Sequence, residues 1–222
     1  MKAFKNSANV KKFLLDMFPV VLGILLAFMI NNWNESIKEK KALAIAKTQI
    51  VQELVSNHKE CIRIIDVQQK RNNFFIVYRD SIEKYSNKGY TLAQLPFQGV
   101  NIPTISRTAW DATNFSGIIS KFDFEELQVL TAVYQVQNIF ADVQNQLISI
   151  IYGNDMYSPE SLSSTFHSLK RLNDDFIDFA RGIANAYEVY LNKYAPESLS
   201  IKDEETSEDE ETSKAEETSE DE

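Results

Sequence analysis

Cysteine, histidine, proline and glycine are all scarce in this 222-residue chain, which has one, two, five and six of them respectively. A single cysteine, Cys61, allows no intrachain disulfide. That excludes a small stapled extracellular module and fits either the cytosol or a periplasmic domain with enough core to do without bridges. His58 and Cys61 stand three apart on one helical face, but two ligands do not make a metal site, and His167 is the other histidine. Cys61 falls on an apolar stripe, where a thiol acts as a small buried hydrophobe. No Gly-rich phosphate loop, HExxH, CxxC or GxSxG occurs. Asp174, Asp175 and Asp178 cluster without a partner and read as a solvated helix face. Lys70, Arg71 and Arg79 are dispersed and lack a stacking surface, which argues against nucleic acid as a ligand. The sequence therefore offers no catalytic, cofactor-binding or metal-ligating residue, and it reads as a non-enzymatic protein without a cofactor.

Charge is spread unevenly. The segment from Asp203 to Glu222 holds twelve acids and one lysine, a net of −11 against −9 for the whole chain, so everything before it carries +2. The acidic balance is a property of this end alone. Its repeated Glu-Glu-Thr-Ser-Glu-Asp-Glu units repel one another and supply nothing for a core, so residues 198–222 are expected to be a disordered acidic tail.

One long apolar run is present. Phe13 to Ile30 contains a single charged residue, Asp16, and as a helix spans roughly 27 Å, close to the hydrocarbon thickness of a bilayer. The exit through Asn31, Asn32 and Trp33 places an indole where interfacial aromatics prefer to sit. No small-x-small cleavage pattern follows, so residues 13–33 are expected to be an uncleaved transmembrane anchor rather than a signal peptide. Lys2, Lys5, Lys11 and Lys12 precede it; Lys38, Lys40 and Lys41 follow, mixed with Glu35 and Glu39. This bias places residues 1–12, the basic N-terminus, in the cytoplasm and residues 34–197 outside it. Gly23 and Ala27 form a small-xxx-small pair of the kind that lets two spans approach.

The exposed domain reads as helical. Between Ser36 and Tyr85 there is neither proline nor glycine. Leu43, Ile50, Leu54, Cys61, Ile65, Phe75, Tyr78, Ile82 and Tyr85 recur at helical spacing, which predicts one long helix, or two nearly collinear ones, continuous with the anchor. Asn87 to Pro103 is a connecting loop. A short helix over Ser106 to Phe115 follows, ended by Gly117, with Trp110 and Phe115 expected as core plugs. Asp123 and Glu126 fit a capping box, and behind them Val129, Val133, Val136, Phe140, Val143, Leu147 and Ile150 form a heptad seam. Ser158-Pro159-Glu160 resembles another helix start. Leu162, Phe166, Leu169, Phe176, Ile183, Tyr187, Tyr190 and Tyr194 then fall in heptad register, with Asn173 and Ala180 filling the gaps and Pro196 closing the helix. The expected fold class is mainly α: an N-terminal transmembrane helix, then an antiparallel helical bundle with coiled-coil-like seams.

Gly23-Ile24-Leu25 leading into Ile30-Asn31-Asn32-Trp33-Asn34-Glu35 resembles the anchor end of an uncharacterised family of single-pass membrane proteins, mainly from Bacteroidota. Thr108-Ala109-Trp110 followed by Ser116-Gly117 is similar to that family's mid-domain pattern. The chain departs from it at Val133-Tyr134, where the family has a tyrosine doublet, and in the acidic tail. The resemblance implies a single-pass topology and a bacterial inner membrane, and no activity.

The function these readings point to is a membrane-anchored helical bundle that binds a protein partner or itself, as a scaffold or sensor accessory. The alternative is an accessory single-pass subunit of a proton-driven membrane motor, with Asp16 as the intramembrane acid. The expected partners are the lipid bilayer and a protein, and the main domain is expected in the periplasm.

Overall fold

The computed structural model of the protein describes residues 6–200. The first five residues and the acidic segment 201–222 lie outside the described residues, and with them most of the predicted tail. Among the described residues the chain is mainly helical and contains no strand. Helix α1 (Asn6–Tyr78) runs 73 residues without a break, roughly 110 Å at a standard rise. A three-residue turn separates it from α2 (Ile82–Asn87). Then come α3 (Thr108–Phe115), α4 (Phe124–Ile151), α5 (Leu162–Tyr194) and the short α6 (Glu197–Ser200).

The N-terminal part of α1 is long and apolar enough to cross a membrane. From Phe13 to Ile30 every large apolar side chain that the structure describes is exposed. A core helix of a water-soluble protein does the opposite, because leaving that much hydrocarbon in water costs about 1.5–3 kcal/mol per large side chain. Beyond Ile37 the same helix turns amphipathic and buries Ala46, Ile50, Leu54, Cys61, Ile64 and Phe75.

One core joins α1, α4 and α5. Along α5, Leu162, Phe166, Leu169, Asn173, Phe176, Ala180, Ile183, Tyr187 and Tyr190 are all buried, and Tyr194 is half-buried. Phe176 stacks on Phe140 of α4, with ring centroids 4.9 Å apart. At the far end of α1, Phe74 and Phe75 pack against Phe97 and Phe166.

The order of directions differs from three successive antiparallel helices. His58 faces Glu188 and Asn72 faces Asp174, so α5 runs against α1. Lys47 meets Glu126 and Glu53 meets Tyr134, so α4 runs with α1. The chain returns between them as an extended strap, residues 97–107, which follows α1 back toward its N-terminal half. Arg71 reaches the carbonyl of Gly99, Gln68 that of Asn101 and Asn57 that of Ser106.

Four local expectations are corrected. Phe115 is 96% exposed and plugs nothing, whereas Trp110 is buried. Asp123 caps α4 by accepting from the backbone N–H groups of Glu125 and Glu126, but the Glu126 side chain turns into the core instead of back to the cap. The buried face of α4 is Glu126, Leu130, Val133, Tyr134, Gln137, Phe140, Val143 and Leu147, while Val129, Val136 and Ile150 of the expected seam are half-buried. Finally, α5 starts at Leu162, after a turn in which the Ser158 hydroxyl donates to Glu160 (2.8 Å).

Candidate functional site

The strap determines where the polar chemistry sits. An extended segment without a sheet partner brings backbone N–H and C=O groups into the interior, and each must be paired there. From the level of Arg71 to that of Glu53 is 18 residues of α1, about 27 Å. The strap and the first turn of α3 cover it in the ten residues from Gly99 to Ala109, within the roughly 33–36 Å reach of an extended segment of that length. Side-chain amides from α1 and α4 supply the missing bonds. Gln68 donates to the Asn101 carbonyl (2.6 Å) and Gln144 to that of Pro103 (3.2 Å). Asn57 donates to the Ser106 carbonyl (2.6 Å) and accepts from its N–H (2.9 Å), a two-way match to the backbone of one residue. Gln137 donates to the same carbonyl (2.9 Å) and accepts from the Tyr187 hydroxyl (3.3 Å).

Glu53 is the centre of this arrangement. Only 9% exposed, its carboxylate accepts from the Tyr134 hydroxyl at 2.7 Å, the Ser106 hydroxyl at 2.8 Å and the Ala109 N–H at 2.8 Å. Ala109 lies in the first turn of α3, so the charge also sits at the positive end of that helix. Trp110 lies flat on Tyr134, centroids 4.6 Å apart and planes 14° off parallel. Burial, and then the bond to Glu53, holds the Tyr134 hydroxyl far above the usual phenol range. One layer nearer the membrane-spanning part of α1, Glu126 is 4% exposed. It pairs with Lys47 and accepts from the Tyr190 hydroxyl at 3.0 Å. Burial and then Glu126 raise the Tyr190 hydroxyl in the same way. Every oxygen of the two carboxylates is engaged, so what this arrangement does chemically is hold: it clamps the strap and α3 between α1 and α4.

The residues singled out in the sequence are not gathered here. His58 is buried and bonds Glu188 at 2.6 Å. Cys61 is buried, and burial pushes its thiol up to about 12. Among the described residues no group of three or more His, Cys, Asp and Glu side chains is placed to share a metal ion. Asp174 pairs with Lys170 and accepts from Asn72, and Asp178 pairs with Arg181. Lys70 pairs with Asp66, Arg79 with Asp80, and Arg71 is spent on the strap. Asp16 lies within α1, and its side chain is outside the described ones. Sequence pattern gives Glu126 a capping role and makes Ser106 a helix start, and it does not single out Glu53, Asn57 or Gln137. A usable signal existed: Asn57 and Gln137 stand at core positions of otherwise apolar stripes, which is where a buried amide needs a backbone partner.

No family model matches the chain, and neither a curated protein nor a solved structure matches it.

Proposed function

We propose that the protein is a single-pass membrane protein whose helical domain is a protein-binding or scaffolding module. The supporting observation is that one unbroken helix exposes every described side chain of its apolar first part and forms a wall of the core over its second. In this reading the N-terminus is cytoplasmic, the anchor is uncleaved and lies in a bacterial inner membrane, and the domain is periplasmic. The three long helices form a bundle with coiled-coil-like seams, and the chain joins the Bacteroidota family that its Asn31-Asn32-Trp33-Asn34-Glu35 stretch resembles. The carboxylates are saturated by structural bonds, which supports a binding role over catalysis.

The test is a pair of fusions after Ser200, one to alkaline phosphatase and one to green fluorescent protein, with membranes washed in alkaline carbonate. The proposal expects phosphatase activity, no fluorescence and carbonate-resistant protein. Fluorescence without phosphatase activity overturns the orientation, and release by carbonate overturns the anchor.

A further inference from the structure

The lysines where α5 and the chain beyond it return to the lower part of the domain fall into two sets. Lys47 is matched by Glu126, Lys121 by Glu39 and Lys193 by Glu125, in each case an acid from another element. Lys38, Lys40 and Lys41 are exposed, and none of them forms an ion pair with a described carboxylate. Helical spacing spreads them over three sides of α1, a basic collar between the apolar run and the domain. Glu39 is spent on Lys121, which leaves Glu35 as the other acid of that stretch.

The described chain ends beside this collar. The register set by His58 against Glu188 and Asn72 against Asp174 carries α5 down to α6, which packs on both α1 and α5. Ser200 comes level with about Ala46, so Lys41 and Lys38 lie about 8 and 12 Å further down α1. Past Ser200 the chain continues for residues 201–222, and Asp203 to Glu222 carry a net −11, with Asp203, Glu204 and Glu205 leading. Twenty-two residues reach roughly 70 Å when extended, many times what the collar requires. Lys11 and Lys12 at one end of α1, and Lys84 and Lys88 past the other, are each about 50 Å from the exit, several Debye lengths at physiological salt.

On the single-pass reading, lipid does not reach the whole collar. Lys40 and Lys41 stand ten and eleven residues past Ile30, about 15–17 Å along the helix, whereas the headgroup layer adds about 5–8 Å to the hydrocarbon. We propose that the acidic segment 203–222 turns back on α1 of its own chain and covers Lys38, Lys40 and Lys41. The contact is between exposed charges, so it weakens as salt rises. This goes beyond the membrane-anchored reading and rests on it only for setting lipid headgroups aside.

The test is lysine acetylation, read residue by residue by mass spectrometry. The full chain and a chain ending at Lys202 are placed one per disc in phosphatidylcholine nanodiscs and treated with acetic anhydride at low salt. The proposal expects Lys38, Lys40 and Lys41 to react several-fold more slowly in the full chain, with Lys84 and Lys88, also exposed, unchanged. In about 0.5 M salt, where the Debye length falls to a few ångströms, the full chain should lose this protection. That comparison needs no truncation, so it stands even where the shorter chain folds poorly. Equal rates in the two chains, protection that salt leaves intact, or equal slowing at Lys84 and Lys88 overturns the proposal. Phosphatidylglycerol discs read the competing occupant: full protection of the shorter chain there, with none added by residues 203–222, assigns the collar to lipid and overturns the proposal as well. A full chain that does not enter the discs counts against the anchor alone, and the salt comparison in buffer still reads the acidic segment.

Discussion

Glu53 offers the sharpest quantitative test of the clamp. In Glu53→Gln the amide oxygen can still accept from Ala109 N–H and Ser106, and the amide NH2 can donate to the Tyr134 oxygen in place of the bond now made at 2.7 Å. The charge assistance is lost, and Tyr134 exchanges a donated bond for an accepted one that leaves its own hydrogen without this acceptor, at a net cost of about 1 kcal/mol. Glu53→Met keeps the volume and removes every acceptor. The Ser106 hydroxyl retains Thr108 as a neighbour at 3.3 Å, but the Tyr134 hydroxyl and the Ala109 N–H are left unpaired. At about 1–3 kcal/mol for each buried donor the loss is about 2–6 kcal/mol, a large part of a total stability of about 5–15. The assay is thermal unfolding of the full chain in detergent, followed by circular dichroism. Glu53→Gln should lower the midpoint by about 2–4 °C and Glu53→Met by at least twice that. Tyr134→Phe should cost about 1–2 kcal/mol in the parent and much less in the Glu53→Met background, because its partner is already gone. A Glu53→Met midpoint within about 2 °C of the parent would refute the clamp, as would equal losses for Gln and Met.

Phe140→Asp or Phe176→Asp should abolish folding, since each places an unpaired carboxylate in the stacked ring layer at a cost of several kcal/mol (on the order of the whole stability); native-like circular dichroism and protease resistance in either variant would contradict this. Truncation after Lys202 should move the thermal midpoint by less than about 4 °C, and a larger fall would show that the acidic segment contributes to the fold. The Cys61 thiol, at about 12 when folded, should resist maleimide at pH 8 until the protein is denatured. Because the folded value lies above that of an exposed thiol, the unfolded chain sheds this proton first, so stability is lost as pH rises from about 9 toward 12; Cys61→Ala should lose stability less steeply over that window, and equal slopes would count against the burial. Asp16→Asn should leave membrane insertion unchanged, and a multi-pass protein that co-purifies with the parent but not with this variant would revive the proton-motor alternative.

Much of the helical content was legible because it rests on spacing. The α5 stripe from Leu162 to Tyr190 keeps one heptad register with aromatic and aliphatic side chains interrupted only by Asn173, and all of it is buried. The long α1 was legible for a different reason, the absence of any proline or glycine from Ser36 to Tyr85. The strap was not. An extended segment held by side-chain amides has no period of its own, and Gly89, Pro96, Gly99 and Pro103 mark it only as irregular. The face of α4 was misjudged for a related reason. Val129 and Val136 looked like core by hydrophobicity, yet Glu126, Tyr134 and Gln137 take the interior because the strap and α1 bring donors and acceptors that only polar side chains can meet. Hydrophobic periodicity reads the apolar part of a core and misses the part built to satisfy a buried backbone.

The strap also explains how the two halves of α1 come to depend on each other. With α4 running parallel to α1, the chain needs a return of about 27 Å, and the strap supplies it in a single layer that the long side chains of Glu53 and Lys47 span to reach α4. Glu53 and Glu126 then tie α1 to α4 at two levels, through Tyr134 on one and Lys47 on the other. Between Ile24 and Tyr78 the helix contains no proline or glycine at which it would kink. A rotation of the apolar segment about its axis is therefore carried into the Glu53 layer, where α1, α3 and α4 are bonded to one another.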